Sequence, residues 1–175
     1  KTYLALHQYA DALEAAEKAM AAGIETAELY CLIGDANREM GHNDEAMLAY
    51  QEALERDPDE PTAHTGLGII YHELGRIDKA LASYKEALDT DPKYSAAHYR
   101  LGNIQRDQGR TYDALVAYQQ ALEHQVDYAE PYYGAGIVYA DLGRPGEAIK
   151  AYQNAIKLAP NNPQAYNRLG RLYLT

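Results

Sequence analysis

The sequence predicts an all-α protein built from repeated helix-turn-helix units. Two observations lead to this prediction: a glycine returns every 34 residues, and the apolar residues between these glycines follow helical spacing. The recurring glycines are Gly34, Gly68, Gly102, Gly136 and Gly170. Because a period of this length is typical of arrays in which each unit packs against its neighbours, we expect one solenoid.

Counting each of these glycines as position 8 of a unit assigns all 175 residues to the array. Alanine returns at positions 20 and 27, and tyrosine returns at position 24 as Tyr50, Tyr84, Tyr118 and Tyr152. We therefore predict a single domain with about nine helices. The units of this domain, 1–175, are a partial repeat at 1–26, full repeats at 27–60, 61–94, 95–128 and 129–162, and a half repeat at 163–175.

Glycine and proline predict where the helices end and begin. Glycine at position 15 should end the first helix of each full unit, since glycine adopts a left-handed conformation at the least cost. These residues are Gly41, Gly75, Gly109 and Gly143. Pro61 and Pro163 should lie near the start of first helices, and Pro145 near the start of a second helix, where a missing N–H does no harm.

Three residues depart from the pattern. Val126 replaces the proline of position 32, which predicts a looser junction between the third and fourth full units. Asn37 and Gln105 replace a large apolar residue at position 11, and a buried polar group there needs a hydrogen-bond partner.

The 34-residue unit, with small residues at positions 8, 20 and 27, resembles the tetratricopeptide repeat (TPR) over essentially the whole chain. The resemblance implies a right-handed superhelix of helical hairpins that binds a peptide or protein segment in a concave groove. It also implies that first-helix positions 2, 5, 6, 9, 12 and 13 line this groove. The predicted binding residues are accordingly Tyr99, Arg100, Asn103, Arg106, Tyr133, Ile137, Asp141, Asn167, Arg168 and Arg171.

The residue types at these positions suit protein recognition, because tyrosine and arginine are enriched among the residues that dominate binding energy. Glycines at position 6, Gly66 and Gly134, are expected to leave room for a ligand. Family members that bind a C-terminal carboxylate use five polar residues. This chain matches them at only two positions, Asn103 and Arg168. The sequence therefore does not predict a complete carboxylate clamp.

Composition excludes several other classes. A net charge of −10 disfavours nucleic-acid binding, which depends on basic surface. No apolar run approaches the ~18 residues of a membrane span, so no membrane insertion is expected. The charge is uneven: residues 27–60 hold ten acidic and two basic residues, whereas 163–175 hold only the basic Arg168 and Arg171. This asymmetry could steer a charged partner, or it could be no more than a solvated acidic surface.

The sequence shows no catalytic or cofactor-binding pattern. His64 and His98 occupy position 4, where other units have tyrosine, and neither belongs to a metal-binding motif. Cys31 and Ser83 lack the neighbours that activate a nucleophile. We therefore expect a protein that is not an enzyme and binds no cofactor or metal. With one cysteine, the compartment stays undetermined.

The predicted function is a scaffold that binds a protein or peptide ligand in its groove. Two alternatives stay open. One is a structural module that self-associates by stacking through uncapped repeat ends. The other is the adaptor region of a larger enzyme such as a glycosyltransferase, although the asparagines that such repeats carry at position 6 are missing here.

Overall fold

The computed structural model describes the backbone of residues 3–174 and the side chains of residues 7–174. Within this range the chain forms α-helices joined by short turns, and it contains no strand, so the predicted all-α class is confirmed. The helices are α1 (Tyr3–Ala21), α2 (Ala27–Met40), α3 (Asn43–Arg56), α4 (Pro61–Glu73), α5 (Ile77–Thr90), α6 (Ser95–Asp107), α7 (Thr111–His124), α8 (Ala129–Asp141), α9 (Pro145–Leu158) and α10 (Pro163–Leu172).

The chain divides into two compact units, Lys1–Pro92 and Lys93–Thr175. In the first, α2 pairs with α3 and α4 pairs with α5, while α1 packs against α2. In the second, α6 pairs with α7 and α8 pairs with α9, while α10 packs against α9. Each hairpin falls within one 34-residue period of the sequence. The single domain 1–175 stays a prediction.

The described residues form ten helices, where the sequence led us to expect about nine. The partial first repeat forms one continuous helix of 19 residues, α1, which begins before position 15 of its unit. At position 15 this repeat has His7, where the next repeat has Gly41. Without a glycine to take a left-handed conformation there, nothing interrupts the helix.

The predicted helix boundaries are confirmed. Gly41 follows α2 with a φ of +87°, and its N–H donates to carbonyl oxygens of the preceding turn. The glycines at position 15 of the other full units also have positive φ. Pro61, Pro145 and Pro163 occupy the first turns of α4, α9 and α10, where the helix needs no N–H donor.

The centre of each hairpin is a tyrosine packed on a glycine. The four tyrosines of position 24 are fully buried. A Cβ built on Gly34 would lie 2.5 Å from Cε1 of Tyr50, and one on Gly102 would lie 2.6 Å from Cε1 of Tyr118. No side chain fits at that distance. The recurring glycine of position 8 and the recurring tyrosine of position 24 are therefore the two partners of one contact.

The expectation that Gly66 and Gly134 leave room for a ligand is wrong. A Cβ on Gly134 would lie 2.6 Å from Cζ of Tyr118, the buried tyrosine of the preceding repeat. A Cβ on Gly66 would come closer still to the ring of Tyr50. The space beside these glycines is therefore filled by an aromatic ring of the protein itself.

The two polar residues at position 11 have different outcomes. Asn37 is buried, and its Nδ2 donates to the carbonyl oxygen of Ile33 at 3.0 Å. Gln105 has a buried Oε1 with no hydrogen-bond partner among the described residues. The sequence predicted that both side chains need hydrogen-bond partners. Asn37 Nδ2 has one, whereas Gln105 Oε1 has none among the described residues.

Candidate functional site

The predicted binding residues all lie in the second compact unit, on the first helices α6, α8 and α10. On α6, the side chains of Tyr99, Arg100, Asn103 and Arg106 are all partly exposed. Tyr99, Asn103 and Arg106 are spaced by four and three residues, so they share one face of the helix. The structure thus places these four residues where solvent, and a ligand, can reach part of each.

Tyr99 is held between two other tyrosines. Its ring centroid lies 6.0 Å from that of Tyr118 and 5.4 Å from that of Tyr128, the latter in an edge-on arrangement. The guanidinium of Arg100 lies 5.3 Å from the centroid of the Tyr99 ring, within the range of a cation–π interaction. Tyr99 therefore offers a rigid aromatic surface with a positive charge beside it.

The polar groups of α6 are already engaged. The hydroxyl of Tyr118 donates to Oδ1 of Asn103 at 2.8 Å, and Nη1 of Arg106 lies 3.5 Å from the same oxygen. Nε and Nη2 of Arg106 donate to Oδ1 of Asp107 at 3.0 and 2.8 Å. A ligand that used Asn103 or Arg106 would have to share or replace these bonds.

On α8, Tyr133 and Ile137 are partly exposed one turn apart. The ring of Tyr133 lies 5.8 Å from that of the buried Tyr152, and its hydroxyl donates to Oε1 of Gln164 at 3.3 Å. Because Gln164 belongs to α10, this bond links the first helices of consecutive repeats. The surfaces of α8 and α10 are therefore joined into one.

The hydroxyl of Tyr152 is buried and has no hydrogen-bond partner in the described part of the chain. Asn103 accepts the equivalent bond one repeat earlier, but its counterpart here is the apolar Ile137. Burial raises the pKa of Tyr152 to about 12, while the positive charge of Arg168 opposes that rise. This site therefore combines an unsatisfied hydroxyl, an apolar side chain and a nearby guanidinium.

The remaining predicted residues are exposed. Asn167, Arg168 and Arg171 project from α10, and Asp141 is exposed at the end of α8. Arg168 and Arg171 lie three residues apart and thus share a face of α10. The face of α10 that carries Arg168 and Arg171 is positively charged and open to solvent.

Sequence reasoning missed the side chains behind the predicted surface. Tyr118 and Tyr152 come from second helices, yet their rings contact Tyr99 and Tyr133. Their repeat position could have identified them, because the tyrosine at position 24 packs against the glycine at position 8 and reaches the residue at position 9. Gln164 stands at position 2, which was expected to line the groove, but the predicted residues did not include it, and its bond to Tyr133 is a contact between repeats.

The acidic first compact unit has its own cleft, of about 450 Å³, lined in part by Glu28, Asp35 and Glu60. Asp35 Oδ1 accepts a hydrogen bond from the hydroxyl of Tyr50 at 2.7 Å. Cys31 also lines this cleft but is only 4% exposed. Burial raises the pKa of the Cys31 thiol to about 12, and the charge of Glu60 adds to the effect. This pKa keeps the thiol protonated, so Cys31 is not poised as a nucleophile.

The two histidines at position 4, His64 and His98, make structural contacts. His98 is buried with its ring centroid 6.4 Å from that of His124, and Nε2 of His64 lies 2.8 Å from the carbonyl oxygen of Pro58. Among the side chains of residues 7–174 no group of His, Cys, Asp and Glu is arranged to hold a metal ion. None of the described helices combines the length and apolar character needed to cross a membrane.

Comparisons with known proteins agree with the repeat architecture. A family model described as "Tetratricopeptide repeat" matches residues 1–61, 31–95 and 73–130, and one described as "TPR repeat" matches residues 138–175. The comparison with curated proteins gives no match.

Among solved structures, MamA is 33% identical over 85% of this chain and 81% of its own, with a TM-score of 0.64. A thermophilic TPR protein of Thermus thermophilus, TTC0263, is 23% identical over 98% of this chain and 94% of its own, with a TM-score of 0.81. The chain also resembles, at a TM-score of 0.81, the structure of the APC/C hetero-tetramer Cut9–Hcn1, where it is 21% identical over 95% of this chain and 33% of that chain.

These similarities establish the architecture as an all-α helical-repeat solenoid. Proteins with this fold are generally scaffolds that bind other proteins, and the fold is typically not catalytic. With family models matching most of the sequence and a 34-residue period visible in its helices, this protein belongs to the tetratricopeptide repeat family.

Proposed function

We propose that the first-helix surface of the second compact unit binds a peptide segment of a partner protein. This surface consists of the ten predicted binding residues on α6, α8 and α10. The observation that carries the proposal is the bond from Tyr133 to Gln164, which joins α8 and α10 into a continuous surface. Tyr133 and Ile137 supply its apolar part, and Arg168 supplies a charge beside them.

The chemistry of this surface favours extended peptides with acidic or aromatic residues. Exposed arginines bind carboxylates with two parallel hydrogen bonds, and tyrosine rings offer flat contact area. The contacts of Tyr99 with Tyr118 and Tyr128 hold its ring in place before any ligand arrives. Binding would therefore cost little ordering of the receptor.

The test is enrichment from a random peptide pool, followed by titration of the enriched peptides. Acidic or aromatic sequences should be enriched by the wild type and lost by a Tyr99→Ala, Arg100→Ala, Arg168→Ala triple variant. Because Tyr99 and Arg100 are partly buried, that variant is checked for folding by circular dichroism. Unchanged enrichment in a folded variant contradicts the proposal.

A second variant avoids any effect on the core. The double variant Arg168→Ala, Arg171→Ala removes two charges from exposed positions. It should lower the affinity for acidic peptides by about tenfold or more. The matched control is Lys150→Ala with Lys157→Ala on the second helix α9, which removes the same charge from a different face. Equal losses in both double variants would mean that net charge, and not this surface, governs binding.

A second candidate function is self-association, favoured by the exposed face of α10. Tyr166 and Tyr173 are 50% and 62% exposed, and both share a face with Gly170. At the equivalent glycine of each full repeat a tyrosine ring covers the backbone, but a Cβ on Gly170 would meet nothing within 4 Å. A helix of a second copy of the chain could cover this face.

Sedimentation velocity over a range of concentrations tests this candidate. If the chain self-associates through α10, its sedimentation coefficient should increase with concentration. The Tyr166→Lys, Tyr173→Lys double variant should abolish this increase. A single species at all concentrations would exclude it and would leave the peptide-binding proposal unaffected.

A further inference from the structure

A cleft of about 670 Å³ lies on a different part of the second compact unit, between the second helices α7 and α9. The side chains that α8 contributes to it are Tyr132, Ala135 and Tyr139. Leu115, Val116 and Leu122 of α7 line its apolar wall. None of the ten predicted binding residues lines this α7–α9 cleft, and its volume falls in the range of ligand-binding pockets.

The cleft is open because one large side chain is missing. Position 7 of the repeat is Ile33, Leu67, Leu101 and Leu169 in the other units, whereas here it is Ala135. Leu67 is only 8% exposed in α4, and Ile33 in α2 is partly buried against the core of its own hairpin, so an aliphatic side chain at this position packs into the hairpin. Replacing a leucine by alanine at such a position removes volume that the surrounding helices do not fully recover.

The rim of the cleft carries exposed apolar side chains. Tyr112 is 69% exposed at a position occupied elsewhere by Asp44, Asp78 and Gly146. Val116, one turn further along α7, is 57% exposed. Both side chains line the cleft and share one face of α7, so exposed apolar groups border its mouth.

The apolar surface continues past the end of α7. A smaller cavity of about 230 Å³ shares Tyr132 and Asn154 with the cleft and extends to Val126 and Leu158. Val126 is 71% exposed, and it is the residue that replaces proline at position 32. Two departures from the repeat in one unit, at Tyr112 and Val126, therefore border the same apolar surface.

The two sides of the cleft carry opposite charges. On the α7 side lies Glu123, which accepts a hydrogen bond from the neutral amide of Gln119 at 3.2 Å. On the α9 side lies Lys150, and Glu147 beside it is already paired with Arg144. A partner that fills the cleft would meet a base on one flank and an acid on the other.

We propose that the α7–α9 cleft binds an amphipathic α-helix of a partner protein. The helix carries apolar residues at i, i+4 and i+7, a basic residue on the flank facing Glu123 and an acidic residue on the flank facing Lys150. A groove formed by two helices with a third between them suits a helix, because side chains at this spacing fill it in one line. The 14 residues of α7 correspond to a helix of about 21 Å, or roughly four turns.

The probe is a fluorescein-labelled synthetic peptide of about 16 residues with leucine along one face, lysine along one flank and glutamate along the other. We expect saturable binding in fluorescence anisotropy. Ala135→Leu should weaken this binding by about tenfold or more, because the added side chain fills the cleft. Its thermal unfolding midpoint should equal or exceed that of the wild type, since leucine occupies this position in other repeats.

Two further variants locate the binding. Val116→Lys introduces the residue that the next repeat has at position 22, Lys150. It should weaken peptide binding to a similar extent. Arg168→Ala with Arg171→Ala should leave it unchanged, because these residues lie on α10. The proposal on the first-helix surface and this one can thus fail separately.

Three results would overturn the inference: no saturable binding to the wild type, equal affinity for the folded Ala135→Leu variant, or loss of affinity only in the α10 variant. Self-association of the wild type that Ala135→Leu abolishes would assign the cleft to a second copy of the chain instead of a partner helix. Sedimentation velocity of the two proteins at matched concentrations distinguishes that outcome.

Discussion

The hydroxyl of Tyr118 donates to Oδ1 of Asn103 at 2.8 Å, across the two helices of one hairpin. One repeat later the same two positions are Tyr152 and Ile137, and the Tyr152 hydroxyl is left without a partner among the described residues. Both rings are fully buried. The chain therefore contains a natural comparison between a satisfied and an unsatisfied buried hydroxyl in equivalent surroundings.

Replacing each tyrosine by phenylalanine should have unequal effects on stability. Tyr118→Phe loses a hydrogen bond and should lower the free energy of unfolding by about 1 kcal/mol. Tyr152→Phe removes a buried group that has no partner, so it should be neutral or stabilising by up to about 1–3 kcal/mol. Urea unfolding monitored by circular dichroism measures both. Equal losses in the two variants would mean that another group, such as a bound water, satisfies Tyr152.

A double-mutant cycle tests the cause of this difference. Ile137→Asn restores at position 9 the acceptor that Asn103 supplies to Tyr118. In that background Tyr152→Phe should become destabilising by about 1 kcal/mol, although it is not in the wild type. A coupling energy near zero between residues 137 and 152 would show that the asparagine does not reach the hydroxyl.

Much of the fold could be predicted because each structural requirement leaves its own residue in the sequence. Gly41 and its equivalents end the first helices with positive φ, and Pro61 begins a helix where no N–H is needed. The pairing of Gly34 with Tyr50 follows from the two periods. The partial first repeat was less predictable, since His7 stands where the full units have glycine and α1 continues through it.

The candidate site was predictable only as far as repeat position determines exposure. Position alone places Arg168 and Arg171 on the surface of α10, but it gives no information on which polar groups bond to one another. The engagement of Arg106 by Asp107 depends on side-chain conformation. The α7–α9 cleft depends on a missing volume at Ala135, which becomes meaningful only when the neighbouring helices are in place.

Two glycines at the same repeat position should respond in opposite directions to alanine. A Cβ on Gly136 would lie 2.5 Å from Cε1 of Tyr152, so Gly136→Ala should lower the free energy of unfolding by about 1–3 kcal/mol. Gly170 has nothing within 4 Å and lies in α10, so Gly170→Ala should raise helix stability by up to about 1 kcal/mol. Thermal unfolding of both variants checks the signs. Destabilisation by Gly170→Ala would indicate that another helix covers this face in solution.

The buried tyrosines should make the protein sensitive to high pH. Burial raises the pKa of Tyr152 to about 12 from an ordinary value of 10.0, and it also raises the pKa values of Tyr50 and Tyr118. Above pH 10 the unfolded chain therefore loses protons that the folded chain keeps, and folding becomes less favourable as the pH rises. The stability contributed by each neutral tyrosine is present below this pH and is lost above it.

Tyr152 should lower the free energy of unfolding by up to about 1.4 kcal/mol per pH unit between pH 10 and about 12. Urea unfolding at several pH values in this range measures the slope for the wild type and for Tyr152→Phe, which removes one titrating group. The variant should show a shallower slope, and its advantage over the wild type should grow with pH. Parallel slopes for the two proteins would mean that Tyr152 ionises equally readily in the folded and unfolded states. In that case its hydroxyl would have to reach solvent through an opening of the α8–α9 hairpin.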